Sequence, residues 1–281
     1  MYNDKELYMI WGIYMKAKLV VCDIDNTLVE KHQPLTKRTR EAILALKEKG
    51  VLFGLASGRG SKQLRLLEKQ WGIPCDVLIG GNGAELYDGI DGKLERLYGM
   101  KKEWVKECHE LFAHFECDPY AIIGDDLYAY DNSSFTNASF LKNEDKPHIV
   151  KEAKEFWEFD AVKTGFRAKE DVVDAMEALS NAHPSEHYIG FKTETTMFEF
   201  GNAKASKGRL LTYFCNKHNI EIESVWAFGD MTNDITLLEE AGVGVCMANG
   251  SEDTKAVADI ITEKGVKEDG WAHFVEEHLL K

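Results

Sequence analysis

The sequence predicts an α/β fold with a mostly parallel sheet, interrupted by an inserted α+β domain. Short apolar runs alternate with amphipathic helical segments near both ends of the chain, which is the pattern of βαβ units. Between residues 87 and 195 this alternation weakens and aromatic residues become frequent. The middle of the chain is therefore expected to fold around a core of its own.

The first part of the chain predicts strands separated by helices. The strands are Leu19–Cys22, Val51–Ala56 and Val77–Ile79, and the helices are Thr36–Lys49 and Ser61–Trp71. Thr36 is a suitable cap for the first helix, and Gly50 ends it. The strands are short apolar runs, as expected when both faces of a sheet are covered by helices.

The last part of the chain repeats this order. It predicts helices Lys207–His218 and Thr232–Ala241, the second capped by Thr232, and strands Val225–Phe228, Val243–Met247 and Ile260–Ile261. We therefore expect an α/β core formed by residues 15–86 and 196–281, with the inserted domain at residues 87–195. Residues 1–14 mix charged and apolar residues and predict a poorly ordered leader.

The inserted domain predicts a mixture of strands and helices. The strands are Ala121–Ile123, Leu127–Tyr130 and Tyr188–Lys192, and the helices are Trp104–Phe115, Lys151–Phe159 and Glu170–Leu179. Most of its aromatic residues are expected to form the core, although some could stack on a substrate ring. His109 and His114 are interpreted as structural or exposed residues.

The composition indicates a globular protein with an acidic surface. The chain has 281 residues, of which 44% are hydrophobic, and a net charge of −14. Such a surface repels phosphate backbones and anionic lipids, so neither nucleic acid nor a membrane is an expected partner. Six scattered cysteines without metal-binding spacing indicate reduced thiols and a cytoplasmic location.

Two aspartates directly follow the first predicted strand, in Asp23-Ile24-Asp25-Asn26-Thr27. Sites in open parallel sheets lie beyond the carboxyl ends of the strands. There a carboxylate at Asp23 can attack phosphorus, while Asp25 can protonate the leaving group and then activate water. Paired carboxylates also suit Mg²⁺. A turn that only caps the next helix would use the same residue types, so this motif alone does not distinguish a catalytic site from a structural turn.

Two further motifs offer groups that bind phosphate. Ser57-Gly58-Arg59 follows the second strand, where a hydroxyl and backbone N–H groups, helped by the next helix N-terminus, can hold phosphate oxygens. Lys207 begins a helix, and its ammonium could balance Asp23 and a transferring phosphoryl group. Taken singly, an ordinary strand-to-helix turn and a solvated lysine explain these residues equally well.

The fourth motif is Gly229-Asp230-Met231-Thr232-Asn233-Asp234, after the strand Val225–Phe228. Asp230 can ligate a metal ion, and Asn233 and Asp234 can hold that ion, its waters or phosphate. All four motifs follow a strand or begin a helix at the same predicted edge of the sheet. Together they supply the groups needed for in-line phosphoryl transfer with one Mg²⁺.

In their order, D-x-D-x-T, S-G-R, S-K-G and G-D-x-x-N-D, the motifs resemble those of the haloacid dehalogenase-like superfamily. The resemblance is greatest to the Cof-type sugar-phosphate phosphatases, which carry a large α+β cap. It covers nearly all of the chain after Met15, and the last motif and the Asn82-Gly83-Ala84 turn are its most specific parts. It implies a Rossmann-like core, Mg²⁺ as cofactor and hydrolysis of a phosphomonoester through an aspartyl-phosphate.

The resemblance also implies roles for individual residues. Mg²⁺ would be held by Asp23, Asp230 and the backbone carbonyl of Asp25, and phosphate by Ile24 N–H, Ser57, Gly58, Lys207 and Asn233. Thr27 and Asp234 would orient these groups, and Arg59, Asn82 and Asn202 would contact the substrate. Asn26 stands where the family usually has Gly; because Asn tolerates a left-handed backbone, activity is expected to survive.

Other functions remain open at this stage. A phosphomutase would use the same motifs, and a signalling receiver or phospho-dependent binding module also combines acidic residues, a hydroxyl and a lysine. A catalytically idle scaffold is disfavoured because both Asp23 and Asp25 are present. The expected partner is a small phosphorylated substrate, such as a sugar phosphate, and the chain is expected to act as a monomer or weak homodimer.

Overall fold

The computed structural model describes residues 17–31, 33–131, 133 and 147–281. The predicted leader, residues 1–14, lies outside this range. The chain divides into two compact units: one comprises the described residues up to Glu95 together with Ser206–Lys281, and the other the described residues of Arg96–Ala205. Among the described residues, no helix is both long and apolar enough to cross a membrane.

The strands follow one another along the chain in both units. They are β1 (Leu19–Cys22), β2 (Leu52–Ala56), β3 (Val77–Gly80), β4 (Glu85–Asp88), β5 (Lys93–Arg96), β6 (Asp118–Ile123), β7 (Asp126–Tyr130), β8 (His148–Val150), β9 (Lys163–Arg167), β10 (Tyr188–Glu194), β11 (Met197–Asn202), β12 (Val225–Gly229), β13 (Val243–Cys246) and β14 (Ile260–Ile261).

The α-helices connect these strands. They are α1 (Lys37–Glu48), α2 (Ser61–Trp71), α3 (Lys102–Leu111), α4 (Glu170–Ala182), α5 (Lys207–Lys217), α6 (Ile235–Glu240), α7 (Glu252–Val257) and α8 (Gly270–His278). Thr36 caps α1, as predicted, because its hydroxyl accepts from Thr39 N–H at 3.1 Å.

The first unit contains an eight-stranded sheet in the order β14-β13-β12-β1-β2-β3-β4-β5. All pairs from β14 to β3 are parallel, and β4 is antiparallel to β3. The central strand β1 is fully buried between β12 and β2. The predicted α/β class is confirmed, and the carboxyl ends of β1, β2 and β12 meet at one edge of the sheet.

The second unit contains a six-stranded sheet in the order β10-β11-β9-β6-β7-β8, mostly antiparallel. Its core is rich in aromatic side chains, including Phe112, Phe156, Phe166, Phe198 and Phe200. This agrees with the prediction of an α+β domain whose aromatic residues mainly build its own core.

Several boundaries differ from the sequence-based ones. The division falls at residues 95 and 205 instead of 86 and 195, because β4 and β5 extend the large sheet and β11 completes the small one. The predicted helix at residues 151–159 is only a 3₁₀ turn, Ala153–Trp157. Thr232 does not cap a helix: Thr232–Asp234 is a 3₁₀ turn, and α6 begins at Ile235.

His109 is a buried polar group in the second unit, as the interpretation of a structural histidine requires. Thr164 Oγ1 donates to the Tyr120 carbonyl at 2.7 Å, so it accepts from the ring nitrogen Nε2 of His109 at 2.9 Å. The ring centroids of Phe156 and Phe166 lie 5.0 and 4.9 Å from the centroid of the imidazole ring. Burial lowers the pKa of His109 to about 3.

The low pKa of His109 predicts that acid destabilises the protein. The unfolded chain, in which the histidine pKa is about 6.5, binds the proton first, so stability is lost as pH falls from there toward 3. At about pH 5 the loss from this residue is roughly 2 kcal/mol. Urea unfolding of His109→Gln should show a flatter pH dependence, whereas His114→Gln, at an exposed site, should keep the wild-type slope. Equal slopes in all three proteins would contradict this account.

Candidate active site

Asp23 follows β1 at the point where this strand lies beside β12. Cys22 is opposite Phe228 in the sheet, and Asp23 N–H donates to the Phe228 carbonyl at 2.9 Å. The Asp23 residue is 7% exposed. The parallel sheet therefore brings the first motif and the last motif together, although they are distant in sequence.

Lys207 is the buried cation of this site. It begins α5 and is completely buried, and its Nζ donates to Asp23 Oδ1 at 2.7 Å and to Asp234 Oδ1 at 2.5 Å. Burial alone would lower the pKa of Lys207, but the charges of Asp23 and Asp234 outweigh it and raise that pKa. The ammonium thus stays charged between two carboxylates.

Asp234 organises the loop that carries Asp230. Its second oxygen, Oδ2, accepts from the N–H groups of Asp230 and Met231 at 3.0 and 3.1 Å. Thr27 Oγ1 donates to Asp230 Oδ1 at 2.8 Å, so the first motif also fixes the orientation of Asp230. Thr27 and Asp234 therefore hold Asp230 and its loop in place, and their predicted roles beside a metal ion or phosphate stay a prediction.

The buried charges of the site do not balance. Oxygen atoms of Asp23, Asp230 and Asp234 lie within 4.8 Å of one another, and Lys207 is the ammonium bonded to two of these carboxylates. Burial, followed by the neighbouring charge of Asp234, raises the pKa of Asp230 to about 7. The pKa of Asp23 is also raised, mainly by burial. With all three carboxylates ionised, the cluster carries more negative charge than Lys207 offsets.

These residues fit a divalent cation. Asp234 uses both oxygens for Lys207 and backbone N–H groups, whereas Oδ2 of Asp23 and Oδ2 of Asp230 accept no hydrogen bond from the described residues. Hard carboxylate oxygens in a cluster of excess negative charge are the donor set that Mg²⁺ prefers. Asp23 and Asp230 are accordingly the side chains that would hold it.

Asp25 is held by Arg59. The guanidinium donates through Nη2 to both carboxylate oxygens, at 2.8 and 2.9 Å, and through Nε to Oδ2 at 3.2 Å. The side chain of Asp25 is 29% exposed, and that of Arg59 is 37% exposed. Motif one and the S-G-R motif are thus joined by an ion pair, and the predicted contact between Arg59 and substrate stays a prediction.

The Ser57–Gly60 loop, hereafter the S-G-R loop, lies between β2 and α2. Ser57 is buried, and its Oγ accepts from Arg59 N–H at 3.2 Å. The first amide of α2 is not free for phosphate, because Ser61 N–H donates to Glu85 Oε1 at 2.5 Å. The Ser61 amide is therefore already occupied, and the expected help from this helix N-terminus stays a prediction.

The Asn82-Gly83-Ala84 turn links the S-G-R loop to the last motif. Asn82 N–H donates to the Ser57 carbonyl at 3.0 Å, and Asn82 Oδ1 accepts from Asn233 Nδ2 at 3.1 Å. Gly83 has φ +98°, and a Cβ there would overlap the backbone of Ser206. The turn thus packs against the residue before Lys207, which explains why it requires glycine.

Asn26 has the backbone conformation that was expected for it. Its φ is 66°, in the left-handed region, and its Oδ1 accepts from Lys31 N–H at 3.3 Å. The turn after β1 is therefore formed with Asn in place of Gly.

Two predicted ligands receive no support from hydrogen bonding. Asn202 lies in the second unit, where its Nδ2 donates to the Gly99 carbonyl and its Oδ1 accepts from Lys204 N–H, each at 2.8 Å. Its predicted contact with substrate therefore stays a prediction. The side chain of Ile24 is buried in the hydrophobic core, and the predicted use of its N–H for phosphate likewise remains open.

Sequence reasoning missed Asn249. Its Nδ2 donates to the Asn26 carbonyl at 2.9 Å, and its Oδ1 accepts from Val266 N–H at 2.8 Å. It therefore fixes the loop after β1. The sequence feature that could have identified Asn249 is its position just beyond β13, at the same edge of the sheet as the motifs.

Comparison with known proteins identifies the family of this chain. Residues 20–275 match the family model described as haloacid dehalogenase-like hydrolase. The putative phosphatase YxeH of Bacillus subtilis is 27% identical, over 94% of this chain and 98% of its own. The 5-amino-6-(5-phospho-D-ribitylamino)uracil phosphatase YcsE of the same organism is 26% identical, over 94% and 96%.

The fold is also shared with solved structures. A haloacid dehalogenase-like hydrolase from Bacteroides thetaiotaomicron superposes with a TM-score of 0.82 at 22% identity, covering 93% of this chain and 99% of that one. The resemblance found in the motifs is confirmed. The chain belongs to the haloacid dehalogenase-like hydrolase family, and it is an enzyme of the Cof-type phosphatase branch.

Proposed function

We propose that this phosphatase hydrolyses small phosphorylated metabolites through an aspartyl-phosphate on Asp23, with Mg²⁺ as cofactor. The observation that carries the proposal is the buried cluster of Asp23, Lys207, Asp234 and Asp230 at the carboxyl edge of the sheet. It combines a carboxylate nucleophile with a fixed cation and an excess of negative charge. This is the arrangement that phosphoryl transfer to a carboxylate needs.

In the first step, a carboxylate oxygen of Asp23 attacks the phosphorus atom of the substrate. The bond between phosphorus and the leaving oxygen breaks, and Asp25 gives its proton to that oxygen. Lys207, 2.7 Å from Asp23 Oδ1, keeps the carboxylate oriented and offsets the charge of the phosphoryl group. The products of this step are the dephosphorylated metabolite and an aspartyl-phosphate.

In the second step, Asp25 takes a proton from water, and the water oxygen attacks the same phosphorus atom. The bond between phosphorus and Asp23 breaks, which releases inorganic phosphate and restores the carboxylate. Ser57 and the backbone of Gly58 would hold phosphate oxygens during both steps. Mg²⁺ bound at Asp23 and Asp230 would supply positive charge at the phosphoryl oxygens.

The proposed substrate class is inferred from the names of the relatives. The YcsE relative is named for a phosphorylated ribityl compound, and a small phosphate ester of a sugar or polyol is the class proposed for this chain. Phosphate release should be measured with sugar phosphates, that ribityl compound, nucleotides and p-nitrophenyl phosphate, each with Mg²⁺ and with EDTA. Mg²⁺-dependent release supports the proposal. Isomerisation of a sugar phosphate without free phosphate would replace it by a mutase.

Asp230→Asn is predicted to weaken Mg²⁺ binding and to leave the fold intact. The amide oxygen can still accept from Thr27 Oγ1, whereas the charge that faces the cation is lost. The Mg²⁺ concentration that gives half-maximal activity should rise by roughly 10-fold or more, and the rise in Tm caused by Mg²⁺ should shrink.

The matched control for this variant is Asp91→Asn. Asp88, Asp91 and His218 form the other group of potential ligands in the described chain, but these carboxylates already have a cationic partner, because Lys217 Nζ lies 2.8 Å from Asp88 and 3.1 Å from Asp91. Asp91→Asn should keep the wild-type Mg²⁺ response. If Asp91→Asn lost the Mg²⁺ response and Asp230→Asn kept it, the metal site would lie at the β4–β5 hairpin instead.

A further inference from the structure

Glu85 is a buried carboxylate that the reaction does not use. It begins β4 and is 1% exposed. Its Oε1 accepts from Ser61 N–H, the first amide of α2, at 2.5 Å. A buried carboxylate is costly unless hydrogen bonds satisfy it, so the location of Glu85 directly beside the S-G-R loop calls for a physical explanation.

Helix α2 lacks a cap from its own sequence. Its N-cap residue is Gly60, which has no side-chain acceptor, and its first turn contains no acidic residue. The four amides at a helix start need acceptors, and negative charge near them is stabilising. Glu85 supplies both the acceptor and the charge from another strand.

The same hairpin holds the rest of the S-G-R loop. Gly81 N–H donates to the Arg59 carbonyl at 2.9 Å, and Asn82 N–H donates to the Ser57 carbonyl at 3.0 Å. These two bonds come from the turn that leads directly into Glu85. The loop and the first residue of α2 are therefore tied at three points to a single segment, residues 81–85.

Two groups of the proposed reaction depend on where this loop lies. Ser57 offers its hydroxyl to phosphate, and Arg59 holds both oxygens of Asp25. A shift of the loop would move the phosphate ligands and the acid–base group together. Misplacement of reacting groups by about 1 Å can cost ~100-fold in rate.

We propose that Glu85 is a positioning residue for the phosphatase reaction: by capping α2 it fixes the S-G-R loop, and through it Arg59 and Asp25. This inference rests on the function proposed above. This role requires no contact of Glu85 with substrate or metal. The carboxylate also keeps the Ser61 amide occupied, so that phosphate is directed to the Ser57 and Gly58 end of the loop.

The test compares Glu85→Ala and Glu85→Gln with Thr36→Ala. Thr36 caps α1 in the same unit, so its loss removes a helix cap away from the S-G-R loop. For each protein, kcat and KM are measured per folded molecule, and hydrogen exchange is followed in peptides covering residues 57–64. Inorganic phosphate serves as the competitive inhibitor.

Glu85→Ala is expected to lower kcat/KM by about 10- to 100-fold, to weaken inhibition by phosphate and to speed exchange at residues 57–64. Glu85→Gln should come close to the wild-type protein in all three properties, because its amide oxygen can accept from Ser61 N–H. Thr36→Ala should lower Tm and leave kcat/KM unchanged.

Other results would overturn the inference. Faster exchange in Glu85→Ala with wild-type kcat/KM would show that the cap is purely structural. Equal kinetic losses in Glu85→Ala and Thr36→Ala would assign the effect to general destabilisation. If the wild-type protein releases phosphate from none of the substrates tested, the proposed function is wrong, and the role of Glu85 in holding the loop is a separate question. Exchange at residues 57–64 then still decides whether Glu85 holds the loop.

Discussion

Asp23→Asn is expected to abolish turnover while preserving the fold. The amide is not a nucleophile, and loss of the attacking group should reduce kcat by roughly 10⁴-fold or more. The amide oxygen can still accept from Lys207 Nζ, which donates to Asp23 Oδ1 at 2.7 Å in the wild type. Phosphate release and thermal unfolding, measured on the same preparation, test both parts of this prediction.

The fold should survive because the substitution removes a charge that burial disfavours. Burial raises the pKa of Asp23 well above its usual value, so a neutral side chain there costs the folded state little. Asp91→Asn, which makes the same chemical change on the β4–β5 hairpin, should retain full activity. Peptide mapping must exclude deamidation back to aspartate. Substantial activity in a verified variant would rule out Asp23 as the nucleophile.

Lys207→Met is expected to be the most destabilising substitution in the site. Its ammonium is fully buried and bonds to both Asp23 and Asp234. Removing one partner of a buried ion pair leaves uncompensated charge and typically costs about 3–5 kcal/mol. Urea unfolding at neutral pH with EDTA should show a loss of this size, together with loss of phosphate release.

A second substitution distinguishes the effect of unbalanced charge from the effect of lost side-chain packing. Addition of Asp234→Asn to Lys207→Met should restore part of the stability, since it removes one of the unbalanced carboxylates. Mg²⁺ should also stabilise Lys207→Met more than wild type, because the variant carries more uncompensated negative charge. A variant as stable as wild type in EDTA would contradict the assigned electrostatic role of Lys207.

The sequence was sufficient to predict the core of the fold. Apolar runs such as Leu19–Cys22 identify strands buried on both faces, and the predicted bounds of this strand and of Ser61–Trp71 agree with the structure. The edge hairpin β4–β5 was missed, because Lys93–Arg96 is charged and half exposed and has no apolar run to reveal it.

The candidate site was predictable to the extent that its groups follow strands in recognisable motifs. Asp23, Lys207, Asp230 and Asp234 are brought together as the motifs suggest. Asn249 and Glu85 were missed, because each acts through a hydrogen bond to a backbone group far away in sequence. Periodicity and motif spacing carry no information on such contacts, which depend on the tertiary packing of loops.

The most direct test of the central claim is to trap the phosphorylated enzyme. Asp25→Asn should still accept phosphate from p-nitrophenyl phosphate, whose leaving group needs little protonation, but should lose the base for the second step. After acid quenching, peptide mapping should find one phosphoryl group on the peptide that contains Asp23, at the side chain of Asp23. Release of p-nitrophenol without any phosphorylated Asp23, or with phosphate on another residue, would contradict the mechanism.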